Sequence, residues 1–179
     1  KYITAGSSDD KVYLFDKDSS TPLWNYSTDN RGAVRAIAIS ADGEYIAAGA
    51  FGDKVYLFDK DSSTPLWSYT SGRAVHSVAI STDGEYITVG SDGVYLFDRD
   101  SSTPLWSYTA VDDVYSVAIS ADGEYIAIGS KDDKVYLFDK DSSTPLWSYE
   151  TEGSVYLYSV DISADGKYIV VGSYDDKVY

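Results

Sequence analysis

The chain contains no cysteine. That excludes a disulfide frame, a thiol nucleophile and a zinc–thiolate site, and it leaves the compartment open. His76 is the only histidine, too few for a histidine metal site and with no evident catalytic triad. Basic residues are scarce: 14 Lys and Arg stand against 29 Asp and Glu, for a net charge of −15. Nucleic-acid phosphates would be repelled, and so would an anionic membrane surface. Such a charge reads first as a solvated acidic surface, suited to a basic partner or a cation-rich medium. No apolar run approaches the ~18 residues of a membrane span, so no membrane insertion is expected. Neither a signal peptide nor an initiator methionine is present, and the sequence opens at Lys1 inside a repeat. It reads as processed, excised or incomplete.

What the sequence has is repetition. Residues 125–149 read YIAIGSKDDKVYLFDKDSSTPLWSY, and the same block begins at Tyr2, Tyr45 and Tyr86, with a fifth copy from Tyr168. Between copies sits SVAISADGE or a close variant. Trp24, Trp67, Trp106 and Trp147 are spaced 43, 39 and 41 apart. Periods of about 40 residues belong to propeller blades or to some helical arrays. The residue types decide: the segments are short, rich in Val, Ile, Tyr, Phe and Trp, and cut by Asp-Gly, Asp-Asp and Ser-Ser-Thr-Pro. No window carries helical periodicity.

Each repeat resolves into four strands. Strand A is Val114–Ser120. Asp122-Gly123 then forms a hairpin turn in which glycine supplies positive φ. Strand B is Tyr125–Ser130 and strand C is Lys134–Asp139. Pro145 opens strand D, the outer edge, because a strand's first residue needs no ladder hydrogen bond. Strands A and C are apolar on both faces, so both faces must be covered. Small residues on an inner strand leave room for rings from a neighbouring sheet. Radial stacking of four-stranded sheets meets these demands.

VYLFDKDSSTPLWSY resembles the strand-turn-tryptophan signature of quinoprotein-type (PQQ-like) propeller repeats. VYSVAISADGEYIAIGS resembles the matching stretch of WD-repeat and YVTN-type surface-layer propellers. The resemblance covers essentially the whole chain; it implies a propeller and leaves function open. Two departures stand out. Ser-Thr-Pro replaces the usual Thr-Gly before the tryptophan strand. Phe-Asp (Phe15-Asp16, Phe58-Asp59, Phe97-Asp98, Phe138-Asp139) replaces the Trp-Asp pair that names WD repeats.

The expected fold is therefore an all-β propeller of four-stranded antiparallel blades of about 41 residues. Residues 1–27 supply strands B, C and D; 34–70, 75–109 and 114–150 are whole blades; 155–179 supply A, B and part of C. Rings of six to eight blades, which the resemblance implies, favour an arc of a larger propeller. The alternative is a closed four-bladed ring, with 167–179 left over as a duplicate of 1–13. The near-identity of the copies suggests recent amplification or design. Unequal periods and drift, as at Phe51, Asp161 and the insertion near Tyr156, favour a natural origin.

Several constellations are candidates for chemistry. Asp16 and Asp18 recur as Asp59 and Asp61, Asp98 and Asp100, and Asp139 and Asp141. Alternating carboxylates begin a calcium loop, but the glycine and glutamate that complete one are missing, so a plain hairpin turn is the better reading. Asp42, Asp83, Asp122 and Asp165 read as turn formers. One position diverges amid near-identical surroundings: the second residue of strand A is Arg35, His76, Tyr115 or Tyr158. The loop before it carries Arg31, Arg73 or Asp112-Asp113. In a propeller this loop lies on one rim, and loops on a rigid scaffold carry binding. These eight residues form the candidate binding rim, although unconstrained drift would give the same pattern. Asn25-Tyr26-Ser27 is an N-glycosylation sequon on the outer strand.

Uniform blades without a catalytic set imply a non-catalytic scaffold or protein-interaction module at the cell surface or outside the cell, binding a protein or surface partner. A cytoplasmic adaptor is the nearest variant. A self-assembling element joined through open blade ends is the structural alternative. A quinoprotein-type oxidoreductase would, by the resemblance, need unique polar residues around a quinone and a calcium ion. The chain supplies no such set, so no cofactor is expected.

Overall fold

The computed structural model describes residues 1–28, 32–110, 112–152 and 156–179. The β-rich blocks and their turns give strands in this order: β1 (Tyr2–Gly6), β2 (Lys11–Asp16), β3 (Pro22–Ser27), β4 (Val34–Ile39), β5 (Tyr45–Ala50), β6 (Lys54–Asp59) and β7 (Trp67–Thr70). There follow β8 (Ser77–Ile80), β9 (Tyr86–Gly90), β10 (Val94–Asp98), β11 (Trp106–Tyr108), β12 (Val114–Ile119), β13 (Tyr125–Ser130) and β14 (Lys134–Asp139). The last are β15 (Trp147–Glu150), β16 (Leu157–Ile162) and β17 (Ile169–Ser173). No helix occurs among the described residues.

The strands pair into five antiparallel sheets. Three are complete: β4–β7, β8–β11 and β12–β15. The first sheet, β1–β3, lacks an A strand, and the last, β16–β17, holds A and B with one further bridge, Gly172 to Val178. The two end sheets are not paired with each other. The strands thus form the expected arc, not the closed four-bladed ring.

The turn chemistry follows the sequence. Gly43, Gly84, Gly123 and Gly166 hold φ between 71° and 80°. At each Asp-Gly turn the serine hydroxyl donates to the aspartate, as Ser40 to Asp42 Oδ1 at 2.5 Å, and accepts from a backbone amide, here Tyr45 N at 3.0 Å. Strand D differs from expectation in three sheets. There it begins at the tryptophan, two residues after the proline; only β3 begins at Pro22. Leu66, Leu105 and Leu146 still donate to Leu57, Leu96 and Leu137, the same carbonyl-bearing residues that face the tryptophans. The proline, with no N–H, stays outside the ladder.

The core lies between sheets. One buried cluster joins Val12 and Leu14 to Ile46, Tyr56 and Phe58; the next joins Val55 and Leu57 to Ile87 and Phe97. The two others repeat the pattern further along. Glycine permits the close approach: a Cβ on Gly49 would strike Val75 of the next sheet. At each step a strand D tryptophan reaches forward. Trp24 lies 5.4 Å from Phe58, Trp67 5.2 Å from Phe97 and Trp106 5.4 Å from Phe138. Their indole N–H groups donate to the carbonyls of Lys60, Arg99 and Lys140 at 2.6–2.7 Å. Backbone bonds between A–B turns tie the same sheets: Ala41 to Thr82, Thr82 to Ala121 and Ala121 to Ala164, at 3.1–3.2 Å. The sheets thereby stack with their A strands side by side.

Candidate functional site

The divergent position of strand A is a β-bulge. The register slips between Val34 and Ala36, between Val114 and Ser116, and between Leu157 and Ser159. Arg35, Tyr115 and Tyr158 are the extra residues. His76 holds the same place just before β8, its amide bonded to the Gly90 carbonyl at 2.9 Å. A bulged residue is re-aimed out of the sheet. Here the re-aimed side chains meet along the rim.

The B–C turns supply a second row. Phe51, Lys131 and Tyr174 follow strand B, and their amides donate to Ala33, Asp113 and Tyr156. The two rows interleave into one ladder. The Arg35 guanidinium sits 4.5 Å above the Phe51 ring. Phe51 lies 6.0 Å from His76, edge to face, and His76 4.9 Å from Tyr115. Tyr115 stacks on Tyr158 at 5.5 Å, and Tyr158 meets Tyr174 at 6.1 Å. Tyr156 leans on Tyr115 and Tyr158, with Lys131 Nζ 5.7 Å from its ring centre. Phe51, Tyr156, Tyr158 and Tyr174 are exposed, whereas His76 and Tyr115 are half-buried.

Charge borders the ladder. Arg73 pairs with Asp113 at 3.3 Å and Lys131 with Asp112 at 3.4 Å. An open groove of about 360 Å³ runs beside them, lined by Arg73, Asp92, Thr109, Ala110, Asp112 and Asp113. The Asp113 backbone amide holds the Asp112 carboxyl below its ordinary range. Burial pushes His76 below 6.5; Asp113 works against that shift and Arg35 with it. His76 is therefore neutral in the ladder at neutral pH.

Of the eight rim residues, Arg35, His76, Tyr115 and Tyr158 join the ladder, and Arg73, Asp112 and Asp113 border it. Arg31 lies outside the described residues. Sequence reasoning missed Phe51, Lys131, Tyr156 and Tyr174 as members. For Phe51, Lys131 and Tyr174 a signal was present: the residue after strand B varies between copies as much as the bulge does.

The other candidates lie elsewhere. Asp16, Asp59, Asp98 and Asp139 each accept the amide of the aspartate two residues on, at 2.8–2.9 Å. Asp18, Asp61, Asp100 and Asp141 pair with the neighbouring Lys17, Lys60, Arg99 and Lys140. Among the described residues no three His, Asp or Glu side chains converge to hold a metal. Of the three carboxylates in the polar groove, Asp113 and Asp112 are already paired with Arg73 and Lys131. Asn25 stands exposed on β3.

Comparison with known families bears on this geometry. The model of a PQQ-type repeat family, described as outer membrane protein assembly factor BamB, matches residues 8–154. The chain belongs to this propeller family. A second model, WD domain, G-beta repeat, matches residues 143–179, a stretch that spans β15 of one sheet and β16–β17 of the next. No curated protein matches the chain. Membership in a propeller-repeat family makes the chain an interaction scaffold in the general sense, and the departures at Ser-Thr-Pro and Phe-Asp are local to its turns.

Proposed function

We propose that the chain is a non-catalytic binding scaffold whose working face is the aromatic rim. The observation that carries this reading is the ladder from Arg35 to Tyr174. Near-identical sheets diverge where bulges aim side chains outward, and the divergent residues are rings and cations that touch. Aromatic rings supply contact area at low entropic cost, and arginine beside them adds cation–π attraction. The acidic surface disfavours nucleic acid as the ligand, and no described helix is long and apolar enough to cross a membrane. The aspartate pairs are read as turns.

The five sheets are taken as one repeat domain. Its proposed place is the cell surface or outside the cell, in keeping with the outer-membrane description of the matched family, and Asn25 would there be a glycan acceptor. The open sheet ends provide a further contact, between copies. Immobilised chain would be screened against extended peptides and soluble oligosaccharides, and every binder retested on Tyr115→Ala and on Leu66→Ser at the outer edge. Binders should lose about tenfold or more in affinity with Tyr115→Ala and none with Leu66→Ser. Binders indifferent to Tyr115 and sensitive to the outer edge would refute the rim.

A further inference from the structure

The middle sheet interrupts the second row of the ladder. Four of the five B–C turns share one length, as in Ser130-Lys-Asp-Asp-Lys134 before Val135, whereas Ser91-Asp92-Gly93 runs straight into Val94, two residues shorter. The backbone shows the same difference. Ser7 and Ser173 donate their amides to the carbonyls of Lys11 and Lys177, four residues on, but Ser91 donates to that of Gly93, two residues on, at 2.9 Å. Asp92 accepts the Tyr95 hydroxyl at 2.8 Å, as Asp132 accepts that of Tyr136 at 2.7 Å. Asp92 is therefore the counterpart of Asp132. The residues left out are the counterparts of Lys131, on the rim, and of Lys134, at the start of strand C.

The polar groove beside the ladder lies at this gap, and Asp92 lines it. Asp113 and Asp112 have Arg73 and Lys131 as partners. Asp92 is half-buried and is met by the neutral Tyr95 phenol; no cation pairs with it among the described residues. The Arg73 side chain is 66% exposed, so its ion pair with Asp113 is of the weak surface kind. The short turn thus leaves out cations at the place where a carboxylate lacks one, in a chain of net charge −15.

The rings on either side of the gap have two further properties. They meet steeply: Phe51 and His76 at 79°, His76 and Tyr115 at 83°, Tyr115 and Tyr156 at 88°. Rings set on edge to one another make ridges and clefts, not the flat open face on which a sugar ring lies. The hydroxyls of Tyr115, Tyr156 and Tyr158 also have no hydrogen-bond partner among the described residues, whereas Tyr13, Tyr95 and Tyr136 donate to Asp9, Asp92 and Asp132. The ladder therefore offers apolar clefts and unused donors. A polyproline II segment is the complement of both. Its rings fill clefts, its exposed carbonyls accept hydrogen bonds, its prolines bring no N–H in need of an acceptor, and it is stiff before it binds.

We propose that the rim binds a proline-rich segment and recognises one basic residue within it at the gap between Phe51 and Lys131. This rests on the aromatic rim as the working face. Prolines before the basic residue pack on Phe51 and His76, and those after it on Tyr115 and Tyr156, whose hydroxyls donate to the segment's carbonyls. The arginine or lysine enters beside Asp92, taking the place of the cations that the short turn lacks. The ladder supplies the contact area; the charge supplies register and selectivity.

Fluorescein-labelled peptides PPPPRPPPP, PPPPPPPPP, PPPPEPPPP and GSGSRGSGS, titrated with the 179-residue chain and followed by anisotropy, test this. The peptide PPPPRPPPP should bind about tenfold more tightly than PPPPPPPPP, with PPPPEPPPP weaker still and GSGSRGSGS without measurable binding. Tyr115→Phe with Tyr156→Phe keeps the rings, removes two donors and should weaken PPPPRPPPP by about tenfold. Asp92→Asn should abolish the difference between PPPPRPPPP and PPPPPPPPP. A chain in which residues 91–93 are replaced by the SKDDK of residues 130–134 should do the same; that graft comes from a turn that folds in the same place and keeps an aspartate for Tyr95. Equal affinity for PPPPRPPPP and GSGSRGSGS would overturn the proposal, because bare charge would then suffice. So would an arginine preference that survives both Asp92→Asn and the graft. Absence of binding to every proline peptide would overturn it too, and cellohexaose binding that is lost in Tyr115→Ala would then show that the rim is a working face for another ligand. Proline peptides bound equally by the chain and by Tyr115→Ala would overturn the proposal and the rim together.

Discussion

Trp67 and Trp147 occupy the same place in the repeat and live in different surroundings. Trp67 is half-buried, stacked on Phe97 and bonded to the Arg99 carbonyl; Trp147 is exposed. Phe97 and Phe15 differ in the same way. The blocks around them are nearly identical, so burial here belongs to the step between two sheets and not to the residue. A blade of this kind has no core of its own, as expected of a repeat that hides its apolar faces only by stacking.

The largest test of that contrast is to empty a filled step and an unfilled one. Phe97→Ala removes a fully buried ring and should cost about 3–5 kcal/mol in urea unfolding. Phe15→Ala should cost under about 1 kcal/mol, because no ring of a second sheet lies against it among the described residues. Equal losses would mean that the blades are stable singly. A smaller test is Trp67→Phe, which should cost about 1–2 kcal/mol through the lost indole bond and reduced ring area, whereas Trp147→Phe should be close to neutral.

Drift inside the wall and drift on the rim should also differ. Thr88 is fully buried, and its hydroxyl has no hydrogen-bond partner among the described residues; Ala47 and Ala127 stand at the equivalent register positions. Thr88→Val keeps the shape and removes the stranded hydroxyl, so it should raise stability by about 1 kcal/mol. The smallest effect belongs to His76. A depressed pKa in the folded chain means that the stability it contributes is present above pH 6.5 and lost as pH falls through the folded value. As the sole histidine it gives a single imidazole set in a proton NMR titration. That titration should fall below 6.5 and move lower still in Asp113→Asn, which removes the one charge favouring the imidazolium. A titration above 6.5 would take His76 out of the ladder.

Strands B and C were legible to the residue in KVYLFD and YIAIGS, since Asp-Gly and Asp-Asp turns bracket them and both faces are apolar. Strand D was legible in kind but not in its start: the proline expected as its first residue lies two residues ahead of the strand in three of four sheets. The rim was half legible. Divergence pointed to Arg35, His76, Tyr115 and Tyr158, but the bulge that turns them outward is a register slip, which no residue type announces. Phe51 and Tyr156 looked like drift because sequence alone cannot show that a residue after strand B and a residue before strand A end up hydrogen-bonded neighbours across one rim. The openness of the arc followed from strand counting. The unmatched ring pairs at its ends did not, because a tryptophan's partner sits 30–40 residues away, about one repeat on.

Hydrogen exchange of the four indole N–H groups tests the stepwise core most directly. Each tryptophan reports on one step, and the four resonances can be assigned by single Trp→Phe variants. The indoles of Trp24, Trp67 and Trp106 should exchange slowly behind their carbonyl partners, and that of Trp147 should exchange at nearly the free rate. Four similar rates, or a protected Trp147 with an exposed Trp67, would contradict a core built only where one sheet meets the next.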